Sequence, residues 1–271
     1  MRKRIITAVV LVPLLLLILF VAPKVITAIL FSVLCAIGAY EFLYNTATVR
    51  HPRLVIYSMV AAAMVPLWSF FGTDTAWELA GILFFMTVLF MEVMLSDLKI
   101  RFEKISICFI AGILLPYMLS ALVRIIASGD GRYLILIPFV VGFLSDSGAY
   151  FVGCKYGKHK LAPLISPKKS IEGVAGGVAT AVVGMLVYLL IMQLGFGCKV
   201  NYAYGLLYAL LGSIMGVFGD LCFSAIKRQS GIKDFGNIFP GHGGVLDRFD
   251  SIIFVAPLTE LLLITLPAVV K

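Results

Sequence analysis

The feature that most constrains this chain is the recurrence of apolar runs long enough to cross a bilayer. A membrane-spanning helix needs about 20 apolar residues. Hydrophobic residues make up 61% of the 271 residues and charged residues 13%, whereas soluble domains average about 45–50% and about 25%. The predicted fold class is therefore an all-α, polytopic integral membrane bundle of about nine transmembrane helices, at 5–22, 25–44, 54–72, 76–96, 105–124, 133–153, 174–195, 203–224 and 251–270.

The distribution of lysine and arginine along the chain predicts its orientation, because cytoplasmic loops are enriched in both. We therefore place the N-terminus in the cytoplasm. The same distribution explains most of the +8 net charge, so no nucleic-acid partner is expected. With that orientation, the basic residues on the outer side are five of 22, namely Lys24, Arg124, Arg132, Lys199 and Lys271.

The polar residues divide the chain into two predicted regions. Residues 1–130 form a scaffold of transmembrane helices, with lipid access or an oligomer contact as its expected role, and residues 131–271 form the catalytic region. Glu41, Glu78 and Glu92 lie near predicted helix ends, where solvent or headgroups can reach them. The five cysteines form no C-x-x-C pair, which favours packing roles over a disulfide or a zinc site.

One polar segment of the catalytic region is 212–228. On a helix, Asp220, Ser224 and Lys227 lie on one face, with Arg228 beside them. A carboxylate within a membrane helix needs a cationic partner, and a purely structural pair with Lys227 is one interpretation. The glycines upstream predict close helix packing.

A second segment, 231–251, combines "PGHGG" with Asp247 and Asp250. If the last helix begins by Leu246, both carboxylates project from one face at its N-terminal end, where helix capping is the alternative role. The glycines leave backbone N–H groups free to receive anionic oxygens. Asp220, Asp247 and Asp250 supply the hard oxygen ligands that Mg²⁺ prefers. Together with the nearby bases, they indicate a phosphoryl or nucleotidyl transfer site. Those bases are Lys227, Arg228, Lys233 and Arg248.

The third segment is 145–177. Asp146 lies within a predicted helix. Ser166 and Pro167 are interpreted as an N-cap and the first helical turn, which would place Lys168, Lys169 and Ser170 at a helix start that favours anions. A role of the lysines in membrane topology alone is the alternative.

The run "SAIKRQSGIKDFGNIFPGHGGVLDRFD", residues 224–250, resembles the signature of the phosphatidate cytidylyltransferase (CDP-diacylglycerol synthase) family. "SDSGAYFVG" and "ISPKKSIEG" resemble further motifs of that family. The resemblance implies transfer of the cytidylyl group of CTP to phosphatidic acid, with Mg²⁺ as cofactor and a second cation left open. It implies Asp220 and Asp247 as metal ligands and catalytic roles for Asp220, Lys227, Asp247 and Asp250. The implied substrate-binding residues are Asp146, Ser166, Lys169, Ser170, Ser224, Arg228, Lys233, Asp234, His242, Gly243, Gly244 and Arg248.

The expected partners are CTP, phosphatidic acid and the lipid bilayer, with a homodimer left open. The expected location is a bacterial inner membrane, with the active site facing the cytoplasm. Another lipid phosphotransferase, such as a polyprenol kinase, is an alternative. An ion-coupled transporter is a weaker one, because it would place acids near the midplane in both halves, whereas here they cluster in one half.

The orientation is testable by labelling with a membrane-impermeant thiol reagent. A cysteine replacing Lys168 should react only from the cytoplasmic side, and one replacing Lys199 only from the opposite side. Swapped labelling would contradict the orientation and place the polar segments away from cytoplasmic CTP.

Overall fold

The computed structural model describes residues 13–72, 75–129, 131–239, 241 and 243–270. Helical backbone already covers 13–20. Two π-helical turns are present: Glu41–Asn45 ends the first long helix, and Ile110–Leu114 lies between two α-helices. The α-helices that follow residue 20 are α1 Lys24–Tyr40, α2 Pro52–Phe71, α3 Thr75–Leu95, α4 Phe102–Phe109, α5 Leu115–Leu119, α6 Ala121–Ala127, α7 Gly131–Leu134, α8 Leu136–Tyr156, α9 Ile171–Phe196, α10 Tyr202–Gln229, α11 Leu246–Phe249 and α12 Ile252–Thr265.

Among the described residues, seven helical segments are long and apolar enough to cross a membrane, which confirms seven of the predicted spans. A shorter apolar helix, α12, occupies part of the predicted span 251–270. Residues 5–12 of the predicted span 5–22 lie outside the described residues. The polytopic all-α class is thus confirmed, while the count of nine stays a prediction. The seven segments are Lys24–Asn45, Pro52–Phe71, Thr75–Leu95, Phe102–Ala127, Gly131–Tyr156, Ile171–Phe196 and Tyr202–Gln229.

Two short antiparallel strand pairs supplement the helices. β1 (Lys160–Ala162) pairs with β2 (Ser166–Ser170), and β3 (Lys199–Val200) pairs with β4 (Val269–Val270). The interpretation of Ser166 as an N-cap is therefore wrong, because pairing with β1 keeps 166–170 extended. The N-cap is Ser170, whose side chain accepts a hydrogen bond from the backbone N–H of Gly173.

The chain divides into two compact units. Unit 1 comprises Met1–Ala127 and Gln229–Arg248, and unit 2 comprises Ser128–Arg228 and Phe249–Lys271. Asp247 and the glycines that precede it therefore belong to the same unit as the first helices. The division of roles at residue 130 stays a prediction.

Glycines allow the helices of unit 2 to pack closely. A side-chain carbon at Gly177 of α9 would lie 2.6 Å from the carbonyl oxygen of Ser145 in α8. One at Gly219 of α10 would lie 2.6 Å from the carbonyl oxygen of Asp250. Both distances are too short for any other residue, so the glycines allow the close approach of α9 to α8 and of α10 to the turn at Asp250.

Candidate functional site

Asp220 is the centre of a polar cluster in unit 2. It lies on α10, and its Oδ2 is 2.6 Å from Nζ of Lys169 on β2. Its Oδ1 accepts a hydrogen bond of 3.1 Å from the Ser224 hydroxyl, one helical turn further along. The β1–β2 hairpin thus supplies Lys169 as a cationic partner of Asp220, a role for which the sequence alone had indicated Lys227.

Two further acids belong to this group, which we call the Asp220 cluster: Asp146, Lys169, Asp220, Ser224 and Asp250. The backbone N–H of Ser251 donates to Oδ1 of Asp250 at 2.9 Å, and the Ser251 hydroxyl donates to Oδ2 of Asp146 at 3.3 Å. Burial, followed by the negative charge of Asp220, raises the pKa of Asp250 to about 7. Carboxylates that oppose one another's ionisation in this way favour a bound cation.

Two basic residues at the end of α10 differ in their surroundings. Lys227 is buried, with 8% of its surface exposed, and its positive charge lowers the pKa of Asp250. Arg228 is exposed, and its Nε donates to the backbone carbonyl of Ile165 at 3.3 Å. Lys227 therefore acts on the Asp220 cluster, whereas Arg228 ties α10 to the loop between the β1 and β2 strands.

Asp247 of α11 organises the glycine-rich segment of unit 1, which we define as residues 235–246. The carboxylate is buried, and its Oδ2 accepts hydrogen bonds from the backbone N–H groups of Phe235 at 2.7 Å and Gly244 at 3.0 Å. One carboxylate oxygen therefore links the beginning of the segment to its end. Asp247 has a structural function in addition to the metal-binding role predicted for it.

Glu41 is the residue that the sequence interpretation missed. It was expected to be reachable by solvent, but only 1% of it is exposed, and Glu92 is buried as well. The Oε1 and Oε2 atoms of Glu41 accept hydrogen bonds from the backbone N–H groups of Val245 and Leu246, each at 3.0 Å. An acid within an apolar helix was the available signal, but its partners lie 204 and 205 residues further along the chain.

These contacts change the interpretation of the glycines. A side-chain carbon at Gly236 or Gly244 would overlap the carboxylate of Glu41, and one at Gly243, whose φ of 85° favours glycine, would meet Asp247. The sequence had indicated that this bare backbone receives anionic oxygens. It does so, but the oxygens at Gly244, Val245 and Leu246 belong to the protein's own carboxylates.

Three further predicted residues of unit 1 lie at its surface. Lys233, Asp234 and Arg248 are exposed, and His242 lies outside the described residues. Their roles in substrate binding, like those of Ser166, Ser170, Gly243 and Gly244, stay predictions.

Asp247 and Asp250 do not extend from one continuous helix, as the sequence interpretation assumed. α11 begins at Leu246 but ends at Phe249, and α12 begins only at Ile252, with a turn at Asp250 and Ser251 between them. The two residues also belong to different units. Their shared use as ligands of one ion is therefore a prediction from the sequence.

The donor atoms of the Asp220 cluster fit a hard cation such as Mg²⁺, because they are carboxylate oxygens that repel one another. Within the described residues, however, no three or more His, Cys, Asp or Glu side chains form a group able to hold a metal by themselves. Mg²⁺ commonly takes one or two carboxylates and completes its octahedron with water and substrate phosphates, and its binding here stays a prediction.

Comparison with known proteins shows similarity along nearly the whole chain. The sequence model of the Cytidylyltransferase family matches residues 2–266. A phosphatidate cytidylyltransferase of Bacillus subtilis (strain 168) is 36% identical over 267 residues, which is 97% of each chain. One of Staphylococcus haemolyticus (strain JCSC1435) is 36% identical over 242 residues, 88% of this chain and 90% of the relative. The similarity therefore includes both units and both polar groups described above.

The ion pair between Lys169 and Asp220 can be tested through stability. We expect Lys169→Met to lower the free energy of unfolding by roughly 1–3 kcal/mol, because it leaves a partly buried carboxylate without its cation. Adding Asp220→Asn should recover much of that loss, as measured by thermal unfolding in one detergent.

The matched control is Arg101→Met, which breaks an exposed pair with Glu103 and should cost less than about 1 kcal/mol. A double variant no more stable than Lys169→Met would show that the two side chains are not coupled.

Proposed function

Because the chain belongs to the Cytidylyltransferase family, we propose that it is a phosphatidate cytidylyltransferase, which transfers the cytidylyl group of CTP to phosphatidic acid. The products are CDP-diacylglycerol, a precursor in phospholipid biosynthesis, and pyrophosphate. The observation that carries this proposal is the family match over residues 2–266, together with relatives of that name that align over 97% and 88% of the chain.

The proposed reaction joins two anions. An oxygen of the phosphate monoester of phosphatidic acid attacks the α-phosphorus of CTP, a new P–O bond forms, and the bond to the bridging oxygen of the β-phosphate breaks. The electron pair of that bond leaves with pyrophosphate. A general base is not needed, since a phosphate monoester is already largely ionised near neutral pH.

The residues of the chain supply positive charge and position. In the proposed site Lys227 and Lys169 lie with the carboxylates of the Asp220 cluster, where they can attract phosphate oxygens. Lys233, Arg228 and Arg248 are exposed and are proposed to bind the remaining phosphates. Asp220 and Asp247 are the proposed Mg²⁺ ligands; Mg²⁺ when bound would screen the repulsion between the two substrates.

The proposed location of the site in the membrane follows from the chemistry of the two substrates. Phosphatidic acid is a lipid and CTP is a cytoplasmic nucleotide, so the site must face the cytoplasm from within the membrane that holds the protein. We place it in a bacterial inner membrane, with the N-terminus inside, on the distribution of basic residues. A homodimer remains a proposal.

The experiment that tests the function measures pyrophosphate release by the purified protein in lipid nanodiscs. We expect release from CTP only when phosphatidic acid and Mg²⁺ are both present. Diacylglycerol should not replace phosphatidic acid, because it lacks the attacking phosphate oxygen.

A polyprenol kinase would give the reverse pattern. It would accept a lipid alcohol, release a nucleoside diphosphate and form no pyrophosphate. That result would replace the proposed function with the alternative.

The metal ligands can be tested by Asp220→Asn and Asp247→Asn, which keep side-chain size but remove ligand charge. We expect each to lower kcat by about 10² or more, the effect typical of losing one key electrostatic contact, in protein that still folds. Near-normal activity of either variant at low Mg²⁺ would exclude that residue as a ligand.

A further inference from the structure

Glu41 makes contacts that the proposed chemistry does not use. It begins the π-helical turn Glu41–Asn45 at the end of α1, within a predicted span of unit 1. Its two carboxylate oxygens each accept one backbone N–H, from two consecutive residues at the end of the glycine-rich segment.

The same turn also holds the beginning of the glycine-rich segment. Nδ2 of Asn45 donates a hydrogen bond of 2.7 Å to the backbone carbonyl of Phe235. The ring of Phe42 stacks on that of Phe235, with 6.3 Å between ring centroids. The turn thus contacts both ends of the segment, at Phe235 and at Val245–Leu246, all within unit 1.

We propose that Glu41 is a positioning residue for cytidylyl transfer: it fixes the glycine-rich segment so that Asp247 and Arg248, which follow directly, are held in their working positions. This inference rests on the proposed function. It assigns a role in the reaction to a helix of the predicted scaffold region.

The energetics favour a carboxylate at this position. A buried, unpaired carboxylate is costly, but hydrogen bonds to two backbone N–H groups offset that cost and satisfy donors that would otherwise be buried without partners. Gly236 and Gly244 leave the space in which the carboxylate lies. A glutamine at position 41 would keep one acceptor but turn an NH₂ group towards the second N–H.

The position of the contacts explains why they should matter for catalysis. The N–H of Leu246 belongs to the first residue of α11, and Asp247 is the next residue. Asp247 in turn accepts the N–H groups of Phe235 and Gly244. Loss of the Glu41 contacts would free the start of α11 and allow Asp247 to move. A displacement of about 1 Å at a reacting group can reduce a rate about 10²-fold.

The test compares Glu41→Gln with Glu92→Gln in nanodiscs. Glu92 is a matched control: it is buried in the same unit, and its partners among the described residues are Tyr57, which donates a hydrogen bond to it, and Arg53, which forms an ion pair with it. We expect Glu41→Gln to lower kcat per folded protein by about 10- to 100-fold, with the KM for phosphatidic acid unchanged. Hydrogen exchange should rise in peptides covering 235–249 and stay unchanged in α2 and α3. Glu92→Gln should show neither effect.

A purely stabilising role for Glu41 predicts a different result. Glu41→Gln would then lower the unfolding temperature, while the protein that remains folded would keep the wild-type kcat and the wild-type exchange at 235–249. That outcome overturns the proposal.

Asn45→Ala gives a second measurement in case Glu41→Gln does not fold. It removes only the bond to the Phe235 carbonyl and should raise exchange near Phe235 with a smaller loss of kcat. Folded Asn45→Ala with unchanged exchange and kcat also contradicts the proposal. Wild-type protein that makes no CDP-diacylglycerol would instead contradict the proposed function, while the exchange comparison still shows whether Glu41 holds the segment.

Discussion

A carboxylate inside an apolar protein must be matched by hydrogen-bond donors or positive charge, and much of the polar structure described above follows from this requirement. Asp220 is matched by a lysine and a hydroxyl group. Glu41 and Asp247 are matched by backbone N–H groups instead. The two kinds of contact hold different parts of the structure. The ion pair of Asp220 holds the β1–β2 hairpin against α10, and the hydrogen bonds of Glu41 and Asp247 hold the glycine-rich segment.

The two polar groups suggest separate contributions to the proposed reaction. In the Asp220 cluster, burial and then the negative charge of Asp220 raise the pKa of Asp250, and a bound cation would reduce the repulsion between these two carboxylates. The glycine-rich segment has its backbone N–H groups at 235 and 244–246 occupied by Asp247 and Glu41. Its contribution is therefore to place the residues that follow it, rather than to receive phosphate oxygens at those four groups.

The sequence predicted correctly those features that depend on residues close together in the chain. Apolar runs predicted seven long helices that the structure contains, and the glycines of α10 predicted its close packing. The need of Asp220 for a cationic partner followed from its position within a helix.

The errors arose where distant parts of the chain meet. Ser166 and Pro167 have the pattern of a helix start, but pairing with β1 keeps them extended and moves the N-cap to Ser170. Glu41 was interpreted as accessible because it lies near a predicted helix end, but it is buried and its hydrogen-bond donors come from Val245 and Leu246. Backbone N–H groups carry no side-chain signal, so a partner of this kind cannot be recognised from residue types.

The proposed function depends on transfer of the α-phosphorus of CTP to a lipid phosphate. The decisive experiment gives the purified protein phosphatidic acid and CTP labelled at either the α- or the γ-phosphate, and then measures the label in the extracted lipid. We expect the α label in the lipid and the γ label in the released pyrophosphate. Appearance of the γ label in the lipid would exclude cytidylyl transfer.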